Sequence, residues 1–194
     1  MGRSRMIMND DIYDLPIKFD IARLKEAYHR LKEQIGYSEG LIHCMSLNTP
    51  AETETNIQRG IFWIRQNDGA EETREERVDE KIYTELIPEI KNTYFEEVYN
   101  KLSEFFVLGR VRVLCLEPRR SLSYHRDPEP RVHLPIISNP GALAIVENFC
   151  TYLPANGSLY WMETTKYHSA MNGSEEARVH LVATILDIKK RIMR

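Results

Sequence analysis

Cysteine is scarce in this chain. Cys44, Cys115 and Cys150 are the only three among 194 residues. An odd, widely spaced set makes neither a disulfide framework nor a zinc-knuckle pattern, so the thiols read as reduced and structural. Long apolar runs are missing too, and none approaches the ~20 residues that span a bilayer. The opening Met1-Gly2-Arg3-Ser4-Arg5-Met6 lacks the apolar stretch of a secretory leader, and Met6 stands where a myristoylation signal places Ser or Thr. There is no strongly basic stripe, and the net charge is -3. Neither a nucleic acid nor a membrane is therefore an expected partner, and a cytoplasmic location is expected. With 42% hydrophobic residues and a mean hydropathy of -0.45, the chain reads as soluble and globular. Its length suits one domain, 1–194, better than two.

The apolar pattern changes near residue 108. Before it, in 1–107, helical spacing dominates. Ile21, Leu24, Tyr28, Leu31 and Ile35 form one stripe, with Asp20 as N-cap, Phe19 as a staple against Leu24, and Gly36 as the stop. A second helical stretch is predicted from about Glu75 to Phe106, with Ile82, Leu86, Ile90, Tyr94, Val98, Leu102 and Phe106 on its stripe and a kink at Pro88. Tyr94, Phe95, Tyr99, Phe105 and Phe106 offer more aromatic surface than one stripe needs, so core burial and a homodimer contact are both open. Between the helices, Gly60 to Ile64 reads as a short strand and Gln66 to Glu76 as an exposed acidic loop.

From 108 to 188 the period is two. Arg110 to Glu117, Arg131 to Ser138, Ala142 to Glu147, Ser158 to Glu163 and Ala177 to Leu186 alternate, separated by Pro, Gly and Asn turns. Many short strands of this kind predict a sandwich or jelly roll, an α+β chain with a mainly β core and N-terminal helices packed against it. Side chains two apart share a strand face. Arg131 and His133 therefore point one way and Val132, Leu134 and Ile136 the other. Arg178 and His180 likewise oppose Val179, Leu181 and Ile185. A solvated outer face is the bland account of such polar pairs.

Four of the six histidines fall between 125 and 180. His125-Arg126-Asp127 supplies an imidazole and a carboxylate from a proline-flanked loop, and His168 supplies a second imidazole just before the last strand. Two His and one carboxylate can hold Fe(II) and leave positions open for substrate and O2. Arg178, ten positions after His168, offers a planar fork for a carboxylate. A metal with an arginine nearby calls for a small anion bridging the two, and a dicarboxylate keto acid meets both ends.

The combination H-x-D, distal His, then Arg resembles the Fe(II)/2-oxoglutarate dioxygenases, whose core is a double-stranded β-helix of cupin-like jelly-roll type. Arg131-x-His133-x-Pro135 and His168-Ser169-Ala170-x-Asn172 are similar to the aspartyl/asparaginyl β-hydroxylase branch. The resemblance covers roughly Val111 to Ile185. It implies His125, Asp127 and His168 as the catalytic iron ligands, Arg178 as the partner of the far carboxylate of 2-oxoglutarate, and Arg131 and His133 as further cosubstrate contacts. Founding members of the branch carry glycine where this chain has Asp127, so the tie to an epidermal-growth-factor-like substrate is loosened. The implied reaction is hydroxylation of an amino-acid side chain, peptidyl or free, coupled to decarboxylation of 2-oxoglutarate to succinate.

Trp161, Asn172 and His180 are further candidates for lining the substrate or supporting the ligands. Core packing competes for Trp161, an Asn-Gly turn is favoured for Asn172, and His180 is open. His43-Cys44 lacks metal-type partners in the sequence and reads as structural. Two other functions compete with the oxygenase: a non-catalytic jelly-roll binding module, and a cupin-type metalloprotein that uses no 2-oxoglutarate.

Overall fold

The computed structural model describes residues 9–38, 43–50, 60–72 and 78–190. In chain order the front part contributes β1 (Ile12–Lys18), α1 (Ile21–Ile35), β2 (His43–Ser46), β3 (Asn48–Pro50), β4 (Trp63–Arg65), β5 (Glu71–Glu72), β6 (Tyr83–Leu86) and α2 (Tyr94–Ser103). The rest is β7 (Phe106–Leu116), β8 (Arg120–Ser121), β9 (His125–Arg126), β10 (Arg131–Ile137), β11 (Ala142–Val146), β12 (Phe149–Tyr152), β13 (Ser158–Met162), β14 (His168–Asn172) and β15 (Arg178–Ile188).

The major sheet runs β1-β13-β10-β15-β7-β2. The minor sheet runs β12-β11-β14-β9-β4-β5, with β8 also paired to β14. These two sheets are the halves of a jelly roll, and the core is mainly β. Alternation sorts the strands' side chains as period two requires. Val132, Leu134, Ile136, Val179, Leu181, Ala183, Val111 and Val113 point to one face of the major sheet and pack under α1 and α2. A smaller apolar cluster of Ile12, Ala144, Val146, Leu153, Tyr160 and Met162 joins the two sheets.

Helix α1 forms as its sequence dictates. Asp20 accepts hydrogen bonds from the Ala22 and Arg23 amides at 2.9 and 3.1 Å, and Gly36 ends the helix at φ 66°. Leu24, Ala27, Tyr28 and Leu31 are its buried face, while Ile35 lies exposed. The predicted helix from Glu75 to Phe106 is corrected to Tyr94–Ser103. Ahead of it lie a 3-10 turn at Glu80–Ile82, strand β6 and a second 3-10 turn at Pro88–Ile90. Pro88 opens that second turn, where its missing N–H is harmless. The front part is thus less helical than its spacing suggests. Its strands β1 and β2 complete both edges of the major sheet. Phe95 and Phe106 are buried in the helix-covered core, and Tyr94, Tyr99 and Phe105 pack against it.

Of the short strand predicted at Gly60 to Ile64 only Trp63 and Ile64 fall in β4, and the predicted loop from Gln66 is interrupted by β5, where Glu71 and Glu72 are exposed as expected. Gly2, Met6 and residues 73–77 lie outside the described residues. No helix among the described residues is long and apolar enough to cross a membrane.

Candidate metal and anion site

The polar face of the major sheet looks toward the minor sheet across a cavity of about 520 Å³. His125 and His168 meet there because β9 pairs with β14 and the two histidines are direct cross-strand partners, with ring centroids 4.3 Å apart. Asp127 follows two residues after His125, its amide held by the Thr164 carbonyl at 2.8 Å. One ligand atom from each of His125, Asp127 and His168 lies within 4.8 Å of the others.

The histidine tautomers follow from their neighbours. His125 Nδ1 faces the Ser123 carbonyl at 2.7 Å, and His168 Nδ1 faces the Lys166 carbonyl at 3.0 Å. A carbonyl only accepts, so each proton sits on Nδ1 and each Nε2 presents a lone pair toward Asp127. The Nε2 atoms are 3.7 Å (His125) and 3.5 Å (His168) from the carboxylate. Burial pushes both imidazoles below their ordinary range, His168 to about 4, against the opposing pull of Asp127. Both rings are therefore neutral near pH 7, the form a metal requires.

Arg178 lies at the level of Leu116 on β7 and is only 3% exposed. Its Nη2 donates to His180 Nδ1 at 2.9 Å, which places the His180 proton on Nε2. No carboxylate pairs with Arg178 among the described residues, and burial drags its pKa down to about 10. Nearby, both ring nitrogens of His133 and Nε2 of His180 are buried without hydrogen-bond partners. The two rings stand edge to face at 5.8 Å, and burial next to Arg178 holds both well below the ordinary histidine range. The bland account of a solvated face fails for both Arg-x-His pairs, since all four side chains are buried.

Arg131 is held by two carboxylates. Its Nε lies 2.6 Å from Asp127 Oδ2, and its Nη2 lies 3.2 Å from Glu80 Oε2. The guanidinium thus has two carboxylates beside it, and Arg131 also lines the cavity. The expectation for Trp161 is corrected. It points away from the cavity into the helix-covered core, stacked on Tyr13 at 6.3 Å, while its neighbours Tyr160 and Met162 face between the sheets. Asn172 clamps a turn. Its Nδ2 donates to the carbonyls of Leu116, Glu117 and Glu176, which removes it from the candidate site. His43 sits at the cavity's edge, 3.8 Å from Glu117.

Arg110, Arg112 and Glu80 were not foreseen. A readable signal existed for the first two, because Arg110-x-Arg112 on β7 repeats the basic-x-basic alternation of β10 and β15. Glu80 had no such signal. Its 3-10 turn carries no periodicity, and its partners come from β7, β10 and β15. Phe62 adds an apolar wall, its ring edge-on to His125 at 5.0 Å.

The jelly roll and the His-Asp-His cluster define a class, the mainly β proteins that carry a metal-type site between two sheets. The family model for aspartyl/asparaginyl beta-hydroxylase matches residues 89–188, and the chain belongs to that family. Membership places it among the hydroxylases as an oxidoreductase. Among solved structures it is similar to an oxidoreductase of the 2OG-Fe(II) oxygenase family from Burkholderia pseudomallei. That pair has a TM-score of 0.52 at 12% identity, over 90% of this chain and 83% of the other, a likeness of fold alone. IDO from Bacillus thuringiensis has a TM-score of 0.48 at 10% identity, over 93% and 91% of the two chains. A viral collagen prolyl hydroxylase from Paramecium Bursaria Chlorella virus-1 has a TM-score of 0.46 at 9% identity, over 91% and 98%. No curated protein matches the chain significantly.

Proposed function

We propose that the protein is an Fe(II)/2-oxoglutarate-dependent dioxygenase that hydroxylates an amino-acid side chain, peptidyl or free. The observation that carries this is Arg178, a buried cation with no carboxylate partner among the described residues, lining the same cavity as the His-Asp-His cluster. A binding module with surface histidines gives no reason for such a charge. A cupin-type metalloprotein without an acidic cosubstrate leaves it equally unexplained.

The donor set fits Fe(II): two neutral imidazoles, each with an Nε2 lone pair turned toward Asp127, and one hard carboxylate. The surroundings fit a dianion. Five cavity arginines, Arg110, Arg112, Arg120, Arg131 and Arg178, stand against the carboxylates of Glu117 and Asp127 in the lining and of Glu80 behind it. That positive excess, together with the unpartnered nitrogens of His133 and His180, favours a ligand carrying two negative charges. Bound iron with 2-oxoglutarate supplies oxygen activation coupled to loss of carbon dioxide, leaving succinate. The chain's own residues bind and orient. His125, Asp127 and His168 hold the metal, Arg178 takes the far carboxylate as a fork, and the buried walls of β7, β10 and β15 keep the cosubstrate's surroundings dry. Phe62, beside His125, gives the substrate side an apolar contact.

The test is succinate formation with Fe(II), O2 and 2-oxoglutarate, screened over peptides and free amino acids, with mass detection of one added oxygen. Substrate-stimulated succinate that needs both iron and 2-oxoglutarate is expected. Iron binding with no 2-oxoglutarate binding would favour the cupin-type alternative.

A further inference from the structure

One fully buried carboxylate behind the metal-type cluster comes from outside the family-matched segment. Glu80 stands in the 3-10 turn ahead of β6. Its Oε1 lies 3.1 Å from Arg112 and 3.9 Å from Arg110. Its Oε2 lies 3.2 Å from Arg131 and accepts a hydrogen bond from Thr184 Oγ1 at 2.5 Å. Burial alone would push this carboxyl up, but Arg112, Arg131 and Arg110 hold it at about 2. The fold makes room for it. A Cβ at Gly60 would sit 2.5 Å from Oε1, and a Cβ at Gly109 would sit 2.9 Å from the Glu80 carbonyl oxygen.

Arg131 carries the contact onward, its Nε 2.6 Å from Asp127 Oδ2. We propose that Glu80 is a positioning residue of the metal centre: it anchors Arg131, which holds Asp127 Oδ2 and so fixes the carboxylate with Oδ2 3.5 Å from His168 Nε2 and Oδ1 3.7 Å from His125 Nε2. This rests on reading His125, Asp127 and His168 as iron ligands. Two physical effects act together. Glu80 fixes the guanidinium at one end, so the carboxylate at the other end has one orientation. Its charge also offsets three guanidiniums beside a site that must accept a dication. Carboxylate ligands depend on such partners for orientation. The arrangement is peculiar to a chain with Asp127, since a glycine there would give Arg131 nothing to hold.

The experiment is an anaerobic Co(II) titration of the full metal-free chain, read by calorimetry and by the visible absorption of bound Co(II). Glu80→Gln keeps the shape and removes the charge. It is expected to weaken Co(II) binding by about tenfold or more. Thr184→Val removes a hydrogen bond to the same carboxylate and keeps its charge, so it should stay within about fivefold of the wild type. A folded Glu80→Gln protein with wild-type affinity overturns the proposal, and so does Thr184→Val weakening binding as much as Glu80→Gln. Where Glu80→Gln does not fold, Glu80→Gln/Arg110→Met removes one charge of each sign. It should still bind Co(II) weakly, because Arg131 has lost its anchor, and wild-type affinity in that protein overturns the proposal. A wild type that takes up no Co(II) sinks the ligand assignment and this role with it. Binding by the wild type with an unweakened Glu80→Gln sinks the role of Glu80 alone.

Discussion

Arg178→Met should move stability and ligand binding in opposite directions. In the ligand-free fold the guanidinium is buried with no carboxylate partner among the described residues, and burial drags its pKa down to about 10. Holding it charged there costs about 3 kcal/mol. Methionine fills similar length without that charge, a change that is often neutral or stabilising for buried ions. Against the gain, His180 Nδ1 loses the donor 2.9 Å away, at a cost of about 1–3 kcal/mol. The balance runs from zero to a gain of about 2 kcal/mol, a Tm unchanged or raised by up to about 8 °C for a chain of this size. Binding should behave differently. A fork to the far carboxylate of 2-oxoglutarate contributes two charge-assisted hydrogen bonds of about 1.5–3 kcal/mol each, so the variant should lose about 100-fold or more in affinity. The assay pairs calorimetric unfolding of the metal-free protein with anaerobic titration of 2-oxoglutarate into Co(II)-loaded protein. A ligand-free Tm lowered by more than about 5 °C would refute the charge accounting. Wild-type 2-oxoglutarate affinity would refute the assignment of Arg178.

Three other outcomes follow from the same structure. The pKa values of His125, His133, His168 and His180 are depressed by burial in the fold, His168 to about 4, so below about pH 6.5 the unfolded chain takes up protons that the native chain refuses. Metal-free stability should therefore be complete above pH 6.5 and fall from 6.5 toward 4, by up to about 1.4 kcal/mol per pH unit for each histidine; urea unfolding at stepped pH would contradict this by showing a flat profile. Trp161→Phe should lower stability by about 0.5–1.5 kcal/mol through its stack on Tyr13 while leaving 2-oxoglutarate and Co(II) affinities unchanged, and a selective loss of ligand affinity would return Trp161 to the site. Gly109→Ala should cost about 1–3 kcal/mol, because its Cβ would lie 2.9 Å from the Glu80 carbonyl and 3.2 Å from Leu186, and an unchanged Tm would show that this turn yields freely.

Strands β10, β11, β13 and β15 were legible because they are short apolar-rich runs bounded by Pro, Gly and Asn. Their observed limits fall within about two residues of the sequence reading. The grouping of His125, Asp127 and His168 was legible from the H-x-D motif and the later histidine, and strand period two put Arg178 and His180 on one face of β15. The front half misled for a physical reason. Ile82, Leu86 and Ile90 recur at helical steps, but they sit in a 3-10 turn, a strand and another 3-10 turn, and Ile82 is 46% exposed. Strand β1 hid behind Pro16 and a bulge between Leu15 and Lys18, which disguise its alternation. The motif around Arg131 carried no sign of Asp127 and Glu80 as partners of its guanidinium. Glu80 could not be read at all, since its three arginines are 30 or more residues away in the chain.

In the proposed function one cavity holds Fe(II) through His125, Asp127 and His168 and 2-oxoglutarate through Arg178. This is tested most directly by adding 2-oxoglutarate to the Fe(II)-loaded protein without oxygen and recording the visible spectrum. The expected result is a weak charge-transfer band that needs both additions, vanishes in His168→Ala and is regained in Arg178→Met only at far higher 2-oxoglutarate. A folded wild-type protein that binds Fe(II) and shows no band would contradict it.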